Sequence, residues 1–263
     1  MINKSELILD RVRSLVTHDI ETGQLLFRLT SLEDPSLNCT AEGEEIVDAI
    51  GSLITTLYRA KKATFSATNS LLSLDLAAAQ YGATKEIASE SNKIIDKTYE
   101  ILTINEGKVT LAKAPKSEIK FIYSVESGNI GTCYKSGTEV STTEFVYTAA
   151  EGENPAAIAT PSGLTGKVYV EYEYETSDAI RIVNKKDSFP SVCSLVIYAY
   201  FKDKCNENIT YSGKIICDKA KLNPEQVELA LTSTGKHPFE FVMMNDYCEE
   251  DDADLFTIIV SNK

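Results

Sequence analysis

A mainly β fold with one flanking helix is what this sequence predicts, on three observations. Short runs rich in Val, Ile, Tyr and Thr recur along the 263 residues, punctuated by Gly, Asn, Pro and Thr-Gly turns. Residues 167–175 alternate without a fault: Val168, Val170, Tyr172 and Tyr174 fall on one side of a strand, and Glu171, Glu173 and Glu175 on the other. Residues 71–80 combine helical periodicity with a candidate cap (Asn69 or Ser70) before them and Gly82 at the position of a C-terminal glycine.

In chain order, Ile8, Val12, Leu15 and Val16 share a helical face, but the turn Ile20-Glu21-Thr22-Gly23 leads straight into the strand-like residues 24–30. A hairpin is therefore favoured, with Gly23 supplying the positive φ. Residues 44–50 and 53–58 flank Gly51-Ser52 as a second hairpin, and 62–68 alternate as a separate strand. In the helix, Leu72, Leu76 and Ala79 fall on one face, which should lie on a sheet. A weaker helical stretch is expected through 85–96. Beyond it the pattern is β. Residues 99–104 and 108–112 flank the short loop Asn105-Glu106-Gly107, and 119–125 follow as a strand. Residues 127–166, rich in Gly, Ser, Thr and Ala, are expected as long loops or an inserted hairpin. Strands at 167–175, 179–183, 194–201, 209–217, 227–231, 239–244 and 255–260 complete the set. The expected organisation is one β-rich domain over 1–263, with 127–166 as a loop-rich insertion.

Composition argues against most chemistries. The chain holds 2 His and no Trp, and neither His18 nor His237 sits in a nucleophile motif; Gly235-Lys236-His237-Pro238 reads as a turn before a strand. The 6 cysteines are widely spaced without a CxxC and read as reduced, mostly buried thiols. The acidic run 246–254 lacks the glycine and spacing of a calcium loop, and reads as a solvated connection. Glycine-rich phosphate loops are missing. No catalytic residue, metal site or cofactor is expected. No apolar run reaches the length that spans a bilayer, and Glu6 and Asp10 interrupt any signal-peptide pattern, so synthesis in the cytoplasm is the expectation.

The net charge of −13 disfavours duplex binding through phosphate neutralisation. It suits a wall past which DNA must slide, and equally a surface kept acidic for solubility. The small basic cluster Arg59-Ala60-Lys61-Lys62 reads as a strand entry or a contact to an acidic neighbour.

Residues 42–52, 61–65 and 72–82 present an acidic loop, a glycine-bearing hairpin, a strand opening with Lys and a Leu/Ala helix closed by Gly. Together with Gly235-Lys236-His237-Pro238-Phe239-Glu240 and residues 255–260, this order resembles structural proteins of tailed bacteriophages, and most closely the major tail tube protein family. The resemblance is one of pattern over about half the chain. It implies a β-sandwich or half-barrel with one helix, six copies closing into a ring by strand addition, rings stacking into a tube, contacts with other virion tail proteins, and no enzymatic activity. It also implies residence in the virion tail and transient passage of DNA through an acidic lumen. Six chains would carry −78, six times −13. Candidate lumen-facing acids are Glu171, Glu173 and Glu175 on one strand, and Glu44 and Asp48 on another. The stretches 38–45 and 127–166 would serve as contacts between rings or as outward decoration. Two other roles fit the pattern: a capsid decoration or head–tail connector protein, and a carbohydrate-binding β-sandwich with a tyrosine-lined groove.

Overall fold

In a computed structural model, residues 6–152, 154–206, 208–225, 227–229, 235–245 and 254–262 are described, and they form two compact units. The first comprises residues 1–85 and 182–263, and the second, 86–181, interrupts it.

The first unit opens with β1 (Leu7–Asp19) and β2 (Leu25–Leu29). Gly23 takes φ +68° in the turn between them, and the Asp19 carboxylate accepts from Thr22 N (2.7 Å) and Thr22 Oγ1 (2.8 Å). Those donors hold the Asp19 carboxyl below its usual pKa range. The hairpin, not the helix, is what residues 8–30 adopt. Next come β3 (Leu32–Val47), β4 (Leu53–Asn69), α1 (Leu74–Tyr81) and the short β5 (Lys85–Ile87).

The helix starts later than its apolar pattern suggests. Ser73 is the N-cap, its hydroxyl accepting from Leu76 N (3.2 Å), and Leu72 lies outside the helix and exposed. Gly82 closes it in the left-handed region, as expected (φ 60°, ψ 30°). Residues 85–96, expected as a second helix, instead hold β5, a bridge between Ser89 and Asn92, and the start of β6.

The second unit contains β6 (Ile94–Thr103), β7 (Lys108–Thr110), β8 (Phe121–Glu126), β9 (Asn129–Ser136), β10 (Glu144–Thr148), β11 (Ala157–Ala159) and β12 (Lys167–Thr176). They hydrogen-bond in the order β6-β12-β8-β9-β10-β11-β7. The turn at Asn105–Lys108, with Glu106 and Gly107 at positive φ, returns β7 beside β6, so the sheet comes nearly full circle. Its interior is filled by Ile122, Phe145, Ile158, Val168 and Val170, all fully buried, with Tyr172 and Tyr174 from the expected apolar side of β12. The stretch 127–166 supplies β9, β10 and β11 to this sheet, so it belongs to a larger inserted unit.

β13 (Ile180–Ile182) pairs with β5 where the chain enters and leaves this unit, and Arg181 Nη2 meets Glu86 Oε2 at 2.6 Å. The chain then returns to the first unit with β14 (Val192–Asp203), β15 (Thr210–Leu222), β16 (His237–Met243) and β17 (Thr257–Asn262). The large sheet runs β2-β1-β14-β15-β16-β4-β3, with β17 also on β15. Leu15, Phe27, Phe65, Leu195, Ile197, Phe239 and Phe241 form its core, and Leu76 of α1 packs into it. Of the strand expected at 227–231, residues 227–229 carry no regular structure and the remainder lies outside the described residues. The acidic run lies outside them except for Asp254.

His237 is not in a turn. It opens β16, has no exposed surface, and Nε2 stands 2.6 Å from Gln80 Oε1 on α1. The Gln80 side-chain amide donates to Pro238 O at 3.1 Å. Pro238 pairs with Thr68 of β4, but its missing N–H points to the β15 side of β16, where pairing covers only Phe241–Met243, so no ladder bond is lost.

Candidate assembly surface

The second expected hairpin exists but is far longer than its apolar runs suggest. β4 is one continuous strand through 53–58 and 62–68, and residues 38–45, expected as a loop, lie within β3. β16 covers β4 only from Ala63 to Asn69. From Lys62 to Leu53, β3 is the partner of β4 among the described residues. Residues 40–62 therefore form a two-stranded arm, and both strands are exposed along nearly all of it.

Cross-strand ion pairs run along this arm: Glu44–Arg59 at 3.5 Å and Glu42–Lys62 at 3.7 Å. The basic cluster thus answers acids of its own hairpin, and at this exposure each pair contributes about 0–1 kcal/mol. Ala60 at φ +49° sits at the register shift between Thr40 and Glu42 and kinks the arm locally. Asp48 closes the tip, accepting from Ser52 N (2.7 Å) and Ile50 N (3.0 Å), which keeps its carboxyl below the usual range. Its position is a turn cap.

The arm is also apolar. Ile50 is 88% and Tyr58 74% exposed, and Ile46, Val47, Leu53, Ile54 and Leu57 are exposed beside them. The neighbours Ile46/Val47 and Leu57/Tyr58 point to opposite faces of a strand, so both faces of the ribbon carry bare hydrocarbon. A lone two-stranded ribbon is marginal in water, and such a surface is stabilised by a third strand or a packed face.

The other candidate acids sit in the second unit. Glu171, Glu173 and Glu175 project from the outer face of β12, as the alternation predicts. Glu173 pairs with Lys97 at 3.3 Å, Glu175 with Lys116 at 3.1 Å, and Glu171 accepts from Tyr169 OH at 3.4 Å. They share that face with Tyr99, Tyr123 and Tyr169, so it is aromatic and mixed in charge, not uniformly acidic. The chain places the two sets of acids in different units.

Residue pattern alone missed two features. A basic–aromatic surface, not apparent in the scattered Lys and Arg, forms on the first unit, where Arg11 and Arg13 lie 5.7 and 5.8 Å from the Tyr200 ring and Lys214 lies 5.8 Å from that of Tyr198. Strand pairing creates it, β1 bringing Arg11 and Arg13 from near the start of the chain to Tyr200 of β14, and β15 setting Lys214 opposite Tyr198. The thiols also differ from expectation. Cys193 and Cys217 are buried, but Cys39, Cys133 and Cys205 are exposed. Among the described residues, no group of three or more His, Cys, Asp or Glu is placed to hold a metal ion, and no helix is long and apolar enough to cross a membrane.

Comparison with protein families decides the class of this architecture: the model of the YomU/Tube protein family matches residues 7–258, nearly the whole chain. The chain belongs to that family. It is a phage tail tube-like structural protein with a mainly β fold, as the sequence pattern implied. No curated protein matches it. Membership gives the exposed arm a context, since a tube is built by repeated contact between copies of one chain.

Proposed function

We propose that this protein is the subunit of a phage tail tube, its copies joining into rings that stack around a passage for DNA. The observation that carries this reading is the arm at residues 40–62, which extends past the end of β16 with apolar side chains on both faces. A second copy supplies what the ribbon lacks: apolar area to cover Ile54, Leu57 and Tyr58, and a strand edge to pair with. Family membership over 7–258 supports the same conclusion. Within this proposal the arm acids Glu44 and Asp48 are retained as channel candidates. The β12 glutamates lie on a face shared with the rings of Tyr99, Tyr123 and Tyr169, and they are given no channel role in this proposal.

The test is negative-stain electron microscopy of the purified chain beside a Leu57→Asp/Tyr58→Asp variant. Rings or hollow tubes of uniform diameter are expected for the native chain. The variant should remain as single particles while keeping its circular dichroism spectrum and thermal midpoint. Tubes formed equally by the variant would remove the arm from the assembly. A native chain that never forms rings or tubes, alone or with the other tail proteins, would overturn the subunit reading.

A further inference from the structure

The outer face of the inserted unit has the makings of a ligand site. On its β8 edge the β12 ladder is interrupted there, while the β6 edge stays continuous. β8 pairs with it as far as Val170, and Pro115 bridges to Tyr174, with Lys116 N donating to Glu173 O at 2.7 Å. Between these points the segment 117–120 leaves the strand, and the gap opens as a cavity of about 300 Å³. Its wall includes Phe121 and Tyr123, its charged groups are Lys97, Lys120, Glu118, Glu171 and Glu173, and Ser117 adds a hydroxyl.

Tyr123 links this cavity to an aromatic ledge. It pairs directly with Tyr169 across β8 and β12, their rings edge to face at 6.2 Å. Tyr169 in turn stacks on Tyr99 of β6 at 5.5 Å. The stacking and the 3.4 Å contact from Tyr169 OH to Glu171 hold the rings in place before any ligand arrives. Tyr99, at the end of the row, is 63% exposed, and Phe121 and Ile101 are exposed on the same face.

We infer that this cavity and its tyrosine ledge bind a neutral oligosaccharide. A pyranose presents an apolar face of C–H groups, which suits the electron-rich face of a tyrosine or phenylalanine ring. Its rim of hydroxyls both donates and accepts, which suits a site holding carboxylates and ammonium groups together. The volume lies at the lower end of small-ligand sites, roughly 300–1,000 Å³. A polyanion is disfavoured because three carboxylates face two lysines there. All the residues involved belong to the second unit, so the inference does not rest on the tube reading.

The experiment is binding of the full chain to an immobilised array of neutral hexose and N-acetylhexosamine oligosaccharides, followed by calorimetric titration with the best of them. Saturable binding is expected. It should weaken roughly tenfold in Tyr123→Ala, about 1.4 kcal/mol, and also in Glu171→Gln and Tyr99→Ala, while Tyr58→Ala on the arm binds as the native chain does. Tyr99 is exposed enough for its alanine variant to report even if Tyr123→Ala does not fold. Absence of saturable binding across the array would overturn the proposal, and so would equal affinity in all the variants. If Tyr99→Ala changes only self-association in sedimentation, the face is a contact between copies and the proposal also fails.

Discussion

Replacing Gly82 by alanine isolates what the end of the helix demands of the first unit. Its φ of 60° lies in the left-handed region, where a Cβ costs about 1–2 kcal/mol. The neighbourhood adds a second cost. A Cβ there would stand 2.1 Å from Phe189 O, 2.4 Å from Phe189 C and 2.7 Å from Phe189 N. These are main-chain atoms, which cannot swing aside as a side chain does, so either the loop at Phe189 or the end of α1 must shift. Overpacking of that kind costs about 1–3 kcal/mol, and the two costs together reach about 2–5 kcal/mol. Gly23→Ala is the matched control: φ is +68°, but nothing lies within 4 Å of the new Cβ, so about 1–2 kcal/mol of backbone strain is the whole effect. For a unit of this size each kcal/mol moves the midpoint about 2–4 °C. Thermal and urea unfolding followed by circular dichroism should therefore show Gly82→Ala losing about 1–3 kcal/mol more than Gly23→Ala. Equal losses would refute the claim that the approach to Phe189, not the dihedral alone, requires glycine.

Three further outcomes are expected. Burial pushes the His237 pKa below its usual value, so the folded unit resists the proton that the unfolded chain accepts. Its stabilising effect is complete above pH ~6.5 and is lost as pH falls below that, at up to about 1.4 kcal/mol per pH unit. Urea titrations between pH 7.5 and 5.5 should show this slope, and His237→Gln should flatten it; an unchanged slope would discard the histidine as its source. On the proposed arrangement, which gives β12 no channel role, reversing Glu171, Glu173 and Glu175 to Lys should leave DNA ejection from assembled virions intact, whereas blocked ejection would put that strand on the channel. In a Cys248→Ser background, a thiol-disulfide reagent should titrate Cys39, Cys133 and Cys205 in the native chain, with Cys193 and Cys217 reacting only on unfolding. Burial raises both of the latter, Cys193 to about 12, and five reactive thiols before unfolding would contradict their burial.

Strand periodicity was legible where one face is buried and the other wet. β12 alternates in sequence because Val168 and Val170 face a core while Glu171 faces water, and Gly23 marked the β1–β2 turn through its need for positive φ. The tip of the arm was legible as a hairpin, but its length was not, for the opposite reason. Neither of its faces is buried among the described residues, so nothing there imposes alternation on residues 38–45, and an exposed strand of Asn, Thr, Gly and Glu looks like a loop. Leu71 and Leu72 suggested an early helix start by periodicity, but the cap hydroxyl belongs to Ser73. His237 looked like a turn residue because a proline follows it. The stretch of β16 that admits this proline is open only on its β15 side, and that depends on where the pairing with β15 ends, which is long-range information. The glycan-site candidate has the same character: Tyr99, Tyr123 and Tyr169 meet only through the register of β6, β8 and β12.

The interruption of the first unit by the second has a consequence for the order of events during synthesis. Residues 86–181 can fold as soon as they leave the ribosome, because every strand from β6 to β12 is contiguous in sequence. The first unit must wait: Thr17 of β1 pairs with Leu195 of β14, and Phe65 of β4 with Phe241 of β16. The sticky arm at 40–62 is thus among the earliest parts made, yet the strand that anchors its base is among the last. For a chain that polymerises, this delay uncouples elongation of the polypeptide from elongation of the tube, since no nascent chain can offer a finished docking platform to its neighbours on the same message.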